Sequence, residues 1–405
     1  MTAAESDTDY FFFEDREALV LAGGGARAAY QVGVLRAIAD WLPEDTPCPF
    51  EVLVGTSAGA INAASLAARS PSLREAVATL ERVWSGFSVD QVFDVDNLSM
   101  VRAGLHWLLA MASGGWLLPA PRSLFDTEPL RELLAREIPF ERIPANVQKG
   151  PLRALAVATT SYSSGRAVAF FDAPAELAEW RRVRRAGVRR AVDIDVLMAT
   201  AAIPFMFPAA QIDGEYFGDG AMRQLAPLSP AVHLGANRML VVGTRAEAPA
   251  SPADGAVGIA PSPGHLLGFV LDSLFTDGLS IDLERLHQIN SLLELHPEAS
   301  APGRRPIDTL VIQPSEDPTR IARRHVSAMP RSVRRLLRTM GALEARGGLL
   351  VSYLLFESVY TKKLMQLGRA DAEARREEIV AFLRSTFRAK RSSPDREAMR
   401  SQRRP

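Results

Sequence analysis

Two short stretches of the 405-residue chain hold residue types that can do chemistry. Gly55-Thr56-Ser57-Ala58-Gly59 ends the apolar run Phe50–Val54 and puts one hydroxyl at the apex of a small-residue turn that opens into a helical pattern. A G-x-S-x-G in that setting is a nucleophile elbow. Gly55 and Gly59 keep the backbone clear of a strained serine, and the helix start points its positive dipole end at developing negative charge. Upstream, the apolar run Ala18–Ala22 leads into Gly23-Gly24-Gly25-Ala26-Arg27, a turn whose backbone N–H groups have no side chains in the way. An exposed hydroxyl and a donor cradle in one βαβ unit suit acyl transfer, in which amide donors hold the oxyanion.

The elements that must position these residues follow from hydrophobic spacing. Ala18–Ala22 is a continuous apolar run without alternation, a buried strand. From Ala26 the apolar residues Tyr30, Val34, Leu35, Ile38 and Leu42 recur at three and four, which predicts a helix to about Trp41, ended by Pro43. With Phe50–Val54 as the next strand, the unit is a right-handed parallel crossover. Ala58, Ala60, Ile61, Ala63, Ala64 and Leu66 form a second, small-residue helix. Further strands are expected at Leu152–Thr159, Ala167–Phe171, Met239–Gly243 and Thr309–Gln313. Met198–Pro208 is a helix end broken by Pro204 and Pro208, and a hairpin around Asp213-Gly214 then runs into Gly218-Asp219-Gly220-Ala221. Leu266–Leu295, Gly348–Leu367 and Ala370–Phe387 read as helices. The run Arg181-Arg182-Val183-Arg184-Arg185 with Arg189-Arg190 reads as the solvated face of a helix, or as a patch for anionic headgroups. The Trp/Leu-rich stretch 97–124 reads as a core helix with a loop, or as a lid that meets lipid; Tyr10–Phe13 is expected to dock on the body of the protein. The Pro/Ala/Gly-rich stretch 248–264 reads as a flexible excursion.

Lys+Arg and Asp+Glu both number 47, so no global field draws the chain to nucleic acid. Cys48 is the lone cysteine, which excludes an intrachain disulfide and fits a reducing compartment. The acidic N-terminus has no basic-then-apolar leader pattern, and the apolar stretch 105–118 is too short and interrupted to span a bilayer. The expectation is a cytoplasmic protein, or one peripheral at the inner membrane face. No His/Asp/Glu group has metal-ligand spacing, so neither metal nor other cofactor is expected. The organisation reads as an arm (1–16), a catalytic domain (17–245), a C-terminal extension (246–388) and a basic tail (389–405).

A serine nucleophile needs a base. A triad would place an acid and then a histidine downstream, but His233, His265, His287, His296 and His325 all lie outside strand-end turns. Three motifs in order resolve this: Gly23–Arg27, Gly55–Gly59 and Asp219-Gly220-Ala221 resemble the signatures of the patatin-like phospholipase family, over about Leu19–Val242. The resemblance implies a three-layer α/β/α fold with a mostly parallel sheet and added C-terminal helices. It implies a Ser–Asp dyad without histidine, with Ser57 as nucleophile and Asp219 as general base. The backbone N–H groups of Gly24, Gly25 and Ala26 would form the oxyanion hole, and Arg27 would fix that loop or add positive charge to it. The implied activity is phospholipase A-type hydrolysis of phospholipids or other lipid esters, with peripheral membrane contact, no nucleic-acid partner and no cofactor. Apolar neighbours around Asp219 agree, because desolvation makes a carboxylate basic enough for the role. Asp213 is the competing base, in a position better suited to a turn. The chain departs from the family pattern at Ala22, usually polar or acidic, and at Ala28, usually Gly. Three rivals stand beside this reading. Gly23-x-Gly25-x-x-Ala28 fits a relaxed dinucleotide fingerprint, but the second strand ends in Gly55-Thr56-Ser57 and not in an acid. An acyltransferase or a non-catalytic lipid-binding protein would share the fold.

Overall fold

The computed structural model describes residues 16–94, 123–246, 260–296, 305–344 and 348–383, together with Leu109, Ser113 and Trp116. The Tyr10–Phe13 cluster, nearly all of 97–124, most of 248–264 and the basic tail therefore lie outside the described residues.

The apolar run at the start becomes β1 (Glu17–Leu21), buried at all five positions. A 3-10 turn at Gly25–Ala28 leads into α1 (Ala29–Trp41), and β2 (Val52–Thr56) then pairs parallel with β1. The small-residue helix α2 (Ala58–Ala68) starts directly after Ser57, and α3 (Leu73–Ser85) follows it. Two amphipathic helices, α4 (Glu128–Glu137) and α5 (Arg142–Lys149), lead to β3 (Ala154–Ser161) and β4 (Ala167–Asp172). Next come β5 (Trp180–Arg181), β6 (Arg185–Arg189), α6 (Ile194–Thr200), β7 (Ala210–Ile212) and β8 (Glu215–Asp219). The chain continues through α7 (Ser229–His233), β9 (Arg238–Val242), the long α8 (Pro263–Leu295) and β10 (Asp308–Ile312). It closes with α9 (Pro318–His325), α10 (Arg331–Thr339), α11 (Gly348–Leu354), α12 (Ser358–Ala374) and a helical turn at 376–383.

Strands β10, β9, β1, β2 and β3 form the parallel core of one sheet, in that order. An antiparallel β4 extends it, followed by β6 and the short edge strand β5. Alternate strand residues divide the core. Leu19, Leu21, Leu53, Leu155 and Val157 pack under the helices that include α1, α2 and α12, while Val20, Val54, Ala156 and Val241 face α7 and the later part of α8. The mixed α/β class with a mostly parallel central sheet is thus as expected.

Two expectations are corrected. The arginine run is not a helix: Trp180–Arg181 and Arg185–Arg189 form an edge hairpin, and β6 pairs with β4 from Ala167↔Arg185 to Phe171↔Arg189. The pairing of Val188 and Gly187 with core strand residues anchors that segment in the sheet, and the period of two places Arg185 and Arg189 of β6 on one face. The last helices are also divided differently. Leu355-Phe356-Glu357 breaks the first predicted span, and α12 runs across the predicted boundary to Ala374, because Tyr360, Leu364 and Gly368 pack tightly on α1.

Candidate active site

Register alone brings the two reactive side chains together. Strand β2 pairs with β3 as far as Thr56↔Ala158, then turns away at Ser57. The edge of β3 that this vacates is taken by β8, antiparallel, with Asp219 opposite Thr159. Thr56, the residue before Ser57, and Asp219 therefore stand against consecutive residues of β3, although Ser57 and Asp219 are 162 positions apart in sequence (219 less 57).

Ser57 has φ 53° and ψ −129°, a region that non-glycine residues rarely occupy. The surroundings hold it there. Its N–H donates to Thr200 Oγ1 (2.8 Å), and the Thr200 hydroxyl donates to Ala158 O (2.6 Å). The flanking glycines are required by contact: a Cβ at Gly55 would lie 2.3 Å from Ala60 Cα, and one at Gly59 would lie 2.4 Å from Leu21 O. The Thr56 hydroxyl donates to Gln224 Oε1 (2.5 Å), which ties the elbow to the segment following Asp219.

Asp219 is 1% exposed. Its Oδ1 accepts from Ala221 N–H (2.9 Å), while Oδ2 is buried without a hydrogen bond of normal geometry. Burial pushes the carboxyl up to about 7, and the Ala221 N–H and the Ser57 side chain act in the other direction. The Ser57 hydroxyl is thus close enough to act on the carboxyl without making a well-formed bond to Oδ2. Asp213 has no part in the site. It occupies the β7–β8 turn with φ 50°, mostly exposed, and pairs with Arg190.

The glycine turn stands at the end of β1. Arg27 N–H donates to Gly24 O (3.0 Å), the first bond of the 3-10 turn, so the N–H groups of Gly24, Gly25 and Ala26 are the donors that precede it. Gly25 has φ 53°. The turn is held by groups that motif reading missed. Thr244 Oγ1 donates to Gly23 O (2.7 Å), and Gln31 Nε2 donates to Ala22 O (2.7 Å). Asn62 Nδ2 donates to Gln31 Oε1 (3.0 Å) and to Ala28 O (3.2 Å), while Asn62 Oδ1 accepts from Trp84 Nε1 (2.9 Å). This buried chain locks α2 to the turn. Its signal was present in the sequence as two amides, Gln31 and Asn62, on otherwise apolar helix faces.

The structure places the Arg27 guanidinium away from the turn's donors. It is buried against the C-terminal helices, where it donates to Ser352 Oγ (2.6 and 2.9 Å), Tyr353 OH (3.0 Å), Thr319 Oγ1 (3.2 Å) and Asp272 Oδ1 (3.1 Å). Its Cζ stacks 3.9 Å from the Tyr353 ring centroid. Of the two roles expected for Arg27, this geometry fits anchoring the loop; the side chain points away from the N–H groups of Gly24, Gly25 and Ala26.

Gly25 and Ser57 border an apolar cavity of about 720 Å³, lined by residues that include Ile61, Leu80, Val83, Phe87, Leu133 and Phe207. Among the described residues no histidine borders it. His233 stacks on Trp180 in α7, His265 lies in the first turn of α8 and His325 in the last turn of α9.

The site thus sets a serine at a tight turn beside a buried acid and a glycine turn, at the ends of strands of a mixed α/β sheet. The patatin-like phospholipase family model matches residues 19–232, and the chain belongs to that family. It is 30% identical over 213 residues to the cGAMP-activated phospholipase of Pseudomonas aeruginosa, a match that covers 52% of this chain and 53% of that protein; the chain spans about half the length of this curated relative. Among solved structures, human GIVD cytosolic phospholipase A2 is 11% identical, covering 93% of this chain and 61% of that one, with TM-score 0.43. VipD from Legionella pneumophila is 12% identical, covering 87% and 67%, with TM-score 0.30. Among the described residues no helix is long and apolar enough to cross a membrane.

Proposed function

We propose that the protein is a lipid acyl hydrolase that works through a Ser57–Asp219 dyad. The observation that carries this reading is a strained serine at the end of an apolar cavity, beside a buried carboxyl with pKa about 7. At neutral pH that carboxyl is partly ionised and basic enough to take a serine proton. The acyl chain of a lipid ester lies among Leu80, Val83 and Leu133, which brings its carbonyl to Ser57. Ser57 Oγ attacks, Asp219 takes the proton, and the N–H groups of Gly24, Gly25 and Ala26 hold the oxyanion. Asp219 then protonates the leaving alcohol, and a water activated by the same carboxylate cleaves the acyl-serine. Arg27 keeps the glycine turn in place from behind.

The test is fatty-acid release from mixed phospholipid vesicles, run with and without cGAMP because the Pseudomonas relative is named as cGAMP-activated. Ser57→Ala and Asp219→Ala should each lose at least about 10³-fold in rate, while a His265→Ala/His325→Ala double variant stays active. A histidine variant as inactive as the dyad variants would refute the dyad. A folded wild type without activity on any acyl ester would favour the lipid-binding reading.

A further inference from the structure

On the sheet face opposite the acyl cavity, the β5–β6 hairpin covers one side of a second cleft, of about 1180 Å³ measured to its open mouth. Arg182, Arg184 and Arg185 come from the hairpin, Arg223 from the segment after Asp219 and Arg285 from α8. No carboxylate lines this cleft. Among the described residues none of the five arginines is bridged to Asp or Glu, and Arg185 Nε is buried without a hydrogen-bond partner. The positive field reaches the surrounding groups: after burial, Arg182 and Arg185 are what depress the His233 pKa. Arg185 and Arg285 also act on Asp282, a neighbouring acid on α8 whose carboxylate accepts from Leu228 N–H (3.0 Å).

Arg182, Arg184, Arg223 and Arg285 are exposed, so their guanidinium groups are open to an anion that enters the cleft, and like charges gathered around a concave surface attract one. Planar guanidinium forks match phosphate oxygens best. An aromatic platform for a base is missing here, because Trp180 already stacks on Phe171 (5.0 Å) and on His233 (4.7 Å). Recognition would therefore be of charge.

The cleft also backs onto the catalytic centre. Ala158, on its floor, accepts the Thr200 hydroxyl that holds Ser57 N–H. Gln224, on its wall, accepts from Thr56, and Arg223 caps the 3-10 turn Gly220–Met222 that begins at Asp219. We propose that this cleft is a second site that binds a phosphate-bearing anion, and that its occupancy is felt at Ser57 and Asp219 through the segment 219–224. The anion is either a free phosphate compound or the headgroup of an anionic phospholipid. The site stands independently of hydrolysis, while its coupling to Ser57 and Asp219 rests on the proposed hydrolase.

Binding is measured on the full-length Ser57→Ala protein, so turnover plays no part. The probes are sodium pyrophosphate and a cyclic dinucleotide by calorimetry, and sedimentation with phosphatidylcholine vesicles with or without phosphatidylglycerol. Arg184→Gln, Arg223→Gln and Arg285→Gln, each added singly, should weaken binding about tenfold, and raised salt should weaken it further. Arg335→Gln, on an exposed residue of α10 outside the cleft, should leave it unchanged. Thermal melts confirm that each variant is folded. Binding of a soluble probe identifies a free anion, and binding only to phosphatidylglycerol vesicles identifies a headgroup; either supports the site. No binding to any probe, or cleft variants that bind like their parent, overturns it. In the wild type, saturating probe should change the hydrolysis rate of a soluble short-chain ester about fivefold or more. An unchanged rate overturns the coupling. If the wild type hydrolyses no ester, the calorimetric arm still decides the site.

Discussion

Asp219→Asn should inactivate the protein and stabilise it, with a stabilisation that grows with pH. Burial holds the Asp219 carboxyl at about 7, against an ordinary value of 3.8. Between those values the folded protein keeps a proton that the unfolded chain has released. The contribution of Asp219 to folding stability is therefore greatest below about pH 4, falls as pH rises toward about 7, and is flat beyond. One pKa unit is worth about 1.4 kcal/mol, so the whole loss is about 4 kcal/mol, and about 3 kcal/mol of it falls between pH 5 and pH 8.5. Asparagine has nearly the same shape and can still accept from Ala221 N–H, but does not titrate. The urea-unfolding free energy of the Asn variant minus that of the wild type should thus widen by about 3 kcal/mol from pH 5 to pH 8.5. Groups that titrate alike in the two proteins cancel from the difference. A gap equal at the two pH values would refute the claim that Asp219 is held protonated by burial. The wild-type hydrolysis rate should rise through about pH 7 as the base ionises.

Three further outcomes follow from the same geometry. Gly25→Ala puts a side chain at φ 53° with its Cβ 2.4 Å from Tyr353 O, so the variant should lose about 2–4 kcal/mol by chemical denaturation, with a lower kcat. Val83→Phe narrows the apolar cavity while leaving Ser57 and Asp219 untouched. It should cut turnover of long-chain esters about tenfold and spare short-chain ones; a uniform fall across chain lengths would show that the chain does not lie there. Arg27→Met removes a cation facing the partly exposed Asp272, which keeps the Tyr353 hydroxyl at 2.8 Å and Arg245 at 3.6 Å. Denaturation should show a loss of about 1–3 kcal/mol, the cost of leaving Ser352 and Thr319 without the guanidinium that donates to them.

The parts of this molecule legible in the sequence are those written in local chemistry. Ser57 could be placed because the motif combines a strand end, two obligatory glycines and a small-residue helix, and each of these is a short-range requirement. The contact of Gly59 with Leu21 O is the physical basis of that motif. The Asp213-Gly214 hairpin was legible for the same reason, since both residues adopt positive φ. Asp219 was reached through resemblance, because nothing in its own neighbours shows that β8 will occupy the edge of β3 beyond Ala158. The turn's anchors are non-local as well: Arg27 meets Ser352 and Tyr353, more than 300 residues away, so motif reading could only assign it a role near the turn.

The arginine run shows why such placements fail. Spacing made Arg181–Arg190 read as a helical face, since charges at successive positions carry little periodicity of their own. What decides its structure is β4, whose edge accepts the backbone of Arg185–Arg189 in register. A helix there would have turned its arginines to water around its exposed side. The hairpin instead turns Arg182, Arg184 and Arg185 over a cleft that Arg223 and Arg285 line from other elements. Only the helix is corrected: the reading of the run as a patch for anionic headgroups survives in the proposed anion site, which rests on five arginines from three separate segments lining one cleft.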